Sequence, residues 1–144
     1  MAVSTRLETA RLVIRTFEPR DAEAWVAMAE GDATAAVATM RDAADREDRT
    51  EKAAITPGPL APAREMLGDM LLELRRPKDA LAEFRKTMAK EPNRFRAIAG
   101  AARAATAIGD RAAARAYYSQ LLTICVKADT PGRKDLQAAR AAVQ

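Results

Sequence analysis

Apolar residues recur at helical spacing through two consecutive windows of 34 residues, 61–94 and 95–128. Each window contains two apolar-periodic stretches of about 14 residues, which is the length of an ordinary globular helix. The four stretches cover residues 62–74, 77–90, 94–107 and 111–127. The pattern predicts two consecutive helix hairpins, and it makes residues 61 to 128 the centre of the fold.

Residues at the ends of these stretches favour the same boundaries. Pro77 suits the first position of a helix, where no backbone N–H is required. Gly109 can adopt the left-handed conformation that ends a helix, and Asp110 can accept hydrogen bonds from the first N–H groups of the next one. The sequence therefore predicts tight turns between the helices.

Small residues recur where the helices of each window would cross. These residues are Gly68, Ala80, Ala102 and Ala114. Antiparallel helices joined by a short turn approach each other closely only where their side chains are small. Because one helix pair cannot bury its apolar face alone, the pairs must stack on one another.

This spacing resembles the tetratricopeptide repeat, a helix–turn–helix motif of 34 residues. The matching residues are Leu67, Gly68, Ala80, Phe84 and Pro92 in the first window, and Ala102, Gly109, Asp110, Ala114 and Tyr118 in the second. The sequence departs from the family at Arg64 and Ile98, where an aromatic residue is usual, and at Val126, where a proline is usual. The resemblance implies an all-α fold of stacked antiparallel helix pairs.

Three further segments extend this architecture to a predicted single domain over residues 1–144. Residues 19–50 predict an irregular, repeat-like helix pair. Residues 51–60 contain two prolines around a glycine and predict an extended connector. Residues 130–144 predict a C-terminal capping helix with Thr130 as its N-cap and a polar outer face.

The N-terminal segment, residues 1–18, allows two interpretations. Its β-branched and aromatic residues favour a strand, yet Leu7, Ala10 and Ile14 step at helical spacing. No later segment predicts a second strand that would pair with the first. Both a helix and a lone strand therefore stay open for residues 4–17.

Part of this segment resembles the opening of a GNAT-type N-acetyltransferase. The similar residues run from Leu7 to Arg15 and continue from Phe17 to Trp25. In that family the stretch forms the first strand and the start of the first helix. The family's acetyl-CoA loop has Arg or Gln three residues before a glycine, and no glycine of this chain has either. The resemblance implies a remnant or fused acetyltransferase-like chain with weak acetyl-CoA binding.

Charge is distributed unevenly along the chain, whose net charge is +4. Residues 1–52 hold 8 basic and 11 acidic side chains, whereas residues 53–144 hold 16 basic and 9 acidic ones. A nucleic-acid-binding surface groups its basic residues on one face or along one helix. Here they are scattered singly along the sequence, so we expect most of them on solvated helix faces and no nucleic-acid partner.

The cysteine content and the apolar runs bear on location. Cys125 is the one cysteine, so no intrachain disulfide forms, and its apolar surroundings predict a buried, inert thiol. The missing disulfide framework favours a reducing compartment. No apolar run reaches the length of a membrane span. We expect a cytoplasmic protein without a membrane partner.

Catalytic chemistry has little support in the sequence. The chain contains no histidine, which excludes imidazole acid–base catalysis and Ser–His or Cys–His nucleophiles. A lone cysteine makes no metal site, and no phosphate-binding glycine loop is present. Paired acids such as Asp45 and Asp48 are expected on solvated helix faces. We expect no enzyme activity, no cofactor and no metal.

The remaining candidate site is a groove lined by the first helices of the two windows. In tetratricopeptide arrays these helices form a concave surface that holds extended peptides or partner helices. Carrying the inward positions over gives Glu65, Met66, Asp69, Glu73, Arg96 and Arg103. One wall is then mostly acidic and the next wall basic. An alternative is that the acids and arginines pair across the repeats and only fix the stacking.

A non-catalytic scaffold is the function that these observations favour. Its partner would be a protein or peptide bound in the groove, or a second copy of the chain in a homodimer. The first alternative is the acetyltransferase-like remnant with weak acetyl-CoA binding. The second alternative is a basic nucleic-acid-binding module.

Overall fold

The computed structural model describes residues 7–9, 12–14, 19–50, 61–129 and 132–144. The chain divides into two compact units, Met1–Met66 and Leu67–Gln144. Among the described residues, seven α-helices and one small β-hairpin make up the regular structure. The predicted class, an all-helical repeat fold with a C-terminal helix, is confirmed, whereas the single domain stays a prediction.

The first unit contains a two-stranded antiparallel hairpin. β1 covers Leu7–Thr9 and β2 covers Leu12–Ile14, with Glu8 opposite Val13 at the centre. Both interpretations of residues 4–17 need correction for the described residues, because 7–9 pair with 12–14 and form neither a helix nor a lone strand. Strands of three residues are too short for their alternation to be distinguished from a helical period.

A helix pair follows the hairpin. α1 covers Pro19–Ala29 and α2 covers Ala33–Arg49. Asp32 caps α2, because its carboxylate accepts a hydrogen bond from the N–H of Ala35 at 2.9 Å. The buried apolar residues of the pair are Ala24, Ala36, Val37, Met40, Ala43 and Ala44. The predicted connector, residues 51–60, lies outside the described residues.

Five more helices complete the chain. They are α3 over Ala63–Glu73, α4 over Pro77–Lys90, α5 over Phe95–Ile108, α6 over Arg111–Ile124 and α7 over Lys134–Val143. The boundary between the two units falls within α3. Gly109 has a φ of 85° after α5, and Asp110 accepts a hydrogen bond from the N–H of Ala113 at 3.0 Å. Both predicted turn residues therefore act as expected.

Helices of the second unit pack around Phe84, whose side chain is fully buried. Its ring lies against Gly68 of α3 and Gly100 of α5. A Cβ atom on Gly68 would come within 2.7 Å of the ring, and one on Gly100 would come closer still. The two glycines therefore let α3 and α5 approach the same aromatic side chain of α4.

Alanine dominates the packing of α5, α6 and α7. The hydrophobic core that these helices share consists of Ile98, Ala99, Ala102, Ala105, Ala114, Tyr118, Leu121, Leu136 and Ala139. The capping helix packs on α6 as predicted, but it begins at Lys134 with Arg133 at the N-cap instead of Thr130. Cys125 follows α6 and is only partly buried, so the prediction of a buried thiol is wrong.

Candidate functional site

The six residues assigned to the groove differ in exposure. Glu65 and Met66 are buried, so neither presents its side chain to solvent. Glu73 is exposed at the end of α3. The other three residues, Asp69, Arg96 and Arg103, lie together on the second unit.

A cluster of three charged side chains joins α3 to α5. The carboxylate of Asp69 accepts a hydrogen bond from Arg96 at 3.1 Å and another from Arg103 at 2.9 Å. Asp69 and Arg103 are 34 residues apart and so occupy equivalent positions in the two windows. Asp69 therefore pairs with arginines of the other window, which is the alternative that the sequence left open for the acids of the groove. We refer to Asp69, Arg96 and Arg103 as the exposed cluster.

The exposed cluster keeps much of its surface in contact with solvent. The side chains of Arg96 and Arg103 are 51% and 48% exposed, whereas that of Asp69 is 21% exposed. Both arginines therefore present part of their side chains to solvent while they bind Asp69. The arginines lie about two helical turns apart on α5, so both project from the same side of that helix.

α7 adds two contacts next to the exposed cluster. A carboxylate oxygen of Asp135 lies 4.0 Å from the Nε atom of Arg103. This distance is too long for a hydrogen bond, but the carboxylate adds a second, weaker anion beside Arg103. The guanidinium carbon of Arg133 lies 5.0 Å from the centre of the Phe95 ring, within cation–π range. The surface of α3, α5 and α7 around these residues is the cluster face.

The chemistry available at the cluster face is anion binding. A guanidinium presents five N–H donors in a planar fork that matches the two oxygens of a carboxylate or phosphate. Arg96 and Arg103 each donate to Asp69 through an Nη2 atom. About half of each arginine side chain is in contact with solvent, where a ligand can approach it. Because arginine stays protonated in proteins, these two groups suit charge recognition and not proton transfer.

A cluster of the opposite composition lies in the first unit. Arg64, whose side chain is 7% exposed, donates to Asp48 at 2.6 Å and to Asp45 at 2.6 Å. The side chains of Asp45 and Asp48 are 49% and 29% exposed, as expected for a helix face in contact with solvent, and both also bind Arg64. One feature of the sequence pointed to this role of Arg64, because the tetratricopeptide resemblance expects an aromatic residue at its position. We refer to Asp45, Asp48 and Arg64 as the buried cluster.

A third acid of α2 binds the start of α3. The backbone N–H of Ala63 donates to the carboxylate of Glu47 at 2.7 Å. The first N–H groups of a helix have no partner within the helix and carry partial positive charge, so a carboxylate there is favourable. One stretch of α2 thus holds the first turn of α3 through its backbone and through Arg64.

Metal binding and membrane insertion leave no positive signal in the described part of the chain. Those residues include no trio of acidic or cysteine side chains placed to bind a metal ion. Among their helices, none combines the length and apolar composition that a membrane crossing requires.

Comparison with known proteins gives no family for this chain. No model of a protein family matches the sequence, and no curated protein matches it. The tetratricopeptide and acetyltransferase resemblances therefore stay expectations, and a function can be proposed only from the charged side chains of the cluster face.

Proposed function

We propose that the chain is a non-catalytic helical-repeat scaffold that binds an acidic peptide segment of a protein partner on its cluster face. The observation that carries this proposal is the convergence of Arg96 and Arg103 on Asp69 while about half of each arginine stays exposed. The tetratricopeptide-like succession of helix pairs supports it, because such arrays offer extended surfaces to peptides.

Two physical effects favour an acidic ligand at this face. Both arginine side chains are about half exposed and stay positively charged, so a carboxylate from a peptide can bind them at the surface. Asp69 also restricts the rotamers of both arginines before any ligand arrives. A side chain that is already ordered loses less conformational entropy on binding.

Selection of peptides by the full chain tests the proposal. Peptides selected from a random library should be enriched in Asp and Glu relative to the starting library. The double variant Arg96→Gln, Arg103→Gln should bind the selected peptides about tenfold more weakly, a loss of about 1.4 kcal/mol. Isothermal titration calorimetry measures the change, and circular dichroism checks that the variant is folded.

A matched control separates the cluster face from general charge. The variant Arg111→Gln, Arg115→Gln removes the same net charge from another pair of helical arginines. It should bind the selected peptides within about twofold of the parent, since uniform long-range attraction is weak beyond the Debye length. Equal losses in both double variants, or selected peptides without acidic enrichment, would contradict the proposal.

Self-association is a second form of the same proposal. Residues 1–52 carry 8 basic and 11 acidic side chains, so another copy of the chain is itself a source of acidic segments. Light scattering over a range of protein concentrations should then show a dimer that Arg96→Gln, Arg103→Gln weakens.

The proposed location is the cytoplasm.

A further inference from the structure

A third arginine lies on the cluster face, next to the exposed cluster. Arg133 is exposed immediately before α7, and its guanidinium carbon lies 5.0 Å from the centre of the Phe95 ring. Phe95 is the first residue of α5 and directly precedes Arg96 in the chain. Arg133 therefore lies beside the beginning of α5, from which Arg96 also projects.

The turn before α7 holds the backbone of Arg133 in this position. Gly132 has a φ of 69°, a conformation that favours glycine, and a Cβ atom there would come within 2.8 Å of the main-chain oxygen of Asp129. After the turn, the backbone N–H of Leu136 donates to the oxygen of Arg133 at 2.9 Å, and the Leu136 side chain is buried. Arg133 thus lies between a tight turn and the first turn of a packed helix.

Phe95 provides a platform for the guanidinium group. Its ring is partly buried and packs against the hydrophobic core that α5, α6 and α7 share. The face of an aromatic ring carries the negative part of its quadrupole, so it attracts a cation that lies over it. This contact restricts the side chain of Arg133 before a ligand arrives, which lowers the conformational entropy lost on binding.

The partner of Arg133 is a neutral ring, whereas Arg96 and Arg103 bind a carboxylate. No acid of the described residues forms an ion pair with Arg133. Asp135, two residues later, lies beside Arg103 instead. A ligand carboxylate at Arg133 therefore competes with no ion pair of the described residues, whereas in the exposed cluster it competes with Asp69.

Arg133 borders the exposed cluster on the side of α7. Its guanidinium lies over Phe95, and Asp135 in the first turn of α7 approaches Arg103. Successive helical residues are about 100° apart, so Phe95 lies roughly a quarter of a turn from Arg96 around α5. A peptide that lies on Arg96 and Arg103 and continues toward α7 therefore meets Arg133.

We propose that Arg133 is the third anion-binding side chain of the cluster face, and that the preferred peptide carries two acidic residues. The inference rests on the proposed function, since one acid binds Arg96 and Arg103 while the second binds Arg133. An extended peptide covers at most about 3.5 Å per residue, so acids two to four residues apart span about 7 to 14 Å. Such a short spacing suits the two sites, because Arg133 lies over the residue that precedes Arg96.

Binding of a defined peptide series to the full chain tests this inference. The probes are acetylated and amidated decapeptides of Gly and Ser, which carry either two Glu three residues apart or one Glu with Gln in the other position. Nuclear magnetic resonance titration measures their dissociation constants, even where binding is weak. The diacid should bind about fivefold more tightly than either monoacid, which is the contribution of one exposed ion pair.

Substitution of Arg133 then assigns this gain. In Arg133→Gln the diacid should bind at most about twofold more tightly than the monoacids, since two acids only double the ways of occupying the exposed cluster. The control Arg111→Gln removes the same charge at the start of α6, about 20 Å along the helix from Phe95, and should keep the full gain. Because both arginines are exposed, circular dichroism should show the parent fold in both variants.

Removal of the platform tests how Arg133 acts. Phe95→Leu keeps the charge of Arg133 but takes away the ring that holds its guanidinium. The gain from the second acid should fall to about two- to threefold in this variant, because the side chain must then be ordered on binding. Circular dichroism checks that the variant is folded.

Three results would overturn the inference. They are a gain of twofold or less in the parent chain, a gain that Arg133→Gln leaves unchanged, and an equal gain for two Glu placed seven residues apart. Monoacid binding that Arg96→Gln, Arg103→Gln weakens would still support the proposed function in each of these cases. If no peptide of the series binds, the proposed function fails and this inference fails with it.

Discussion

The buried cluster and the exposed cluster are built from the same two residue types in inverse proportions. In the buried cluster one arginine, 7% exposed, lies between two aspartates. In the exposed cluster one aspartate, 21% exposed, lies between two arginines that are about half exposed. The exposure of the arginines separates the two clusters, since the aspartates are partly exposed in both, with Asp45 at 49%, Asp48 at 29% and Asp69 at 21%.

The difference in burial assigns different roles to similar contacts. A buried charge that loses its partner has no water to replace it, so breaking a buried pair is costly. An exposed pair is weakened by water and salt and contributes little to stability. The buried cluster therefore maintains the structure of the first unit, whereas the exposed cluster is free to exchange contacts with a ligand. Substitutions in each cluster, and one in the packing of the helix that carries the exposed arginines, test this contrast.

The largest effect is expected from removing both acids of the buried cluster. The variant Asp45→Asn, Asp48→Asn leaves the Arg64 guanidinium buried beside neutral amides. We expect the free energy of unfolding to fall by about 3 kcal/mol. Urea denaturation followed by circular dichroism measures the change.

Restoring an apolar side chain serves as the control for this variant. Methionine replaces the aliphatic stem of arginine and needs no counter-ion, and buried ion pairs are often replaced by apolar residues at little cost. Adding Arg64→Met to the double variant should therefore recover most of the lost stability. A triple variant no more stable than the double one would place the cost elsewhere than in the loss of the two carboxylates beside Arg64.

Local chemistry explains which parts of the fold were predictable. α4 occupies the predicted residues 77–90, because proline at its start and the period of its apolar residues are both visible in sequence. Gly109 and Asp110 behave as expected for the same reason, since a left-handed turn and an N-cap depend on the residue itself. The hairpin of β1 and β2 was missed because three-residue strands carry almost no period.

The contacts of charged side chains were less predictable because they are not local. Arg64 lies 16 residues from Asp48 and 19 from Asp45, and no spacing rule connects them. For Asp69 and Arg103 the repeat length itself was informative, since equivalent positions in stacked repeats come together.

An intermediate effect is expected where α5, which carries both arginines of the exposed cluster, approaches α4. A methyl group in Gly100→Ala would overlap the Phe84 ring, which is already confined by Gly68 on α3. Overpacking costs about 2 kcal/mol, and the gain in helix propensity from glycine to alanine offsets about 1 kcal/mol of it. We expect a net loss of about 1 kcal/mol in urea denaturation.

The sign of this effect should reverse when the ring is removed. In a Phe84→Leu background the space beside residue 100 is open, so Gly100→Ala should stabilise the protein by up to about 1 kcal/mol through helix propensity. A loss that persists in that background would show that the glycine is required for a reason other than its contact with Phe84. The exposed cluster would then depend on a backbone feature of α5.

The smallest effect is expected at the exposed cluster itself. Asp69→Asn removes the carboxylate shared by Arg96 and Arg103 and should lower the free energy of unfolding by only about 0.5 kcal/mol at low salt. In 1 M NaCl, where the Debye length is about 3 Å, this loss should disappear. The loss caused by Asp45→Asn, Asp48→Asn should persist at the same salt concentration, because ions do not enter the site of a buried guanidinium. If Asp69→Asn costs as much as that double variant, or keeps its cost in high salt, exposure does not separate the two clusters. The arginines of α5 would then be structural and would have no freedom to bind a peptide.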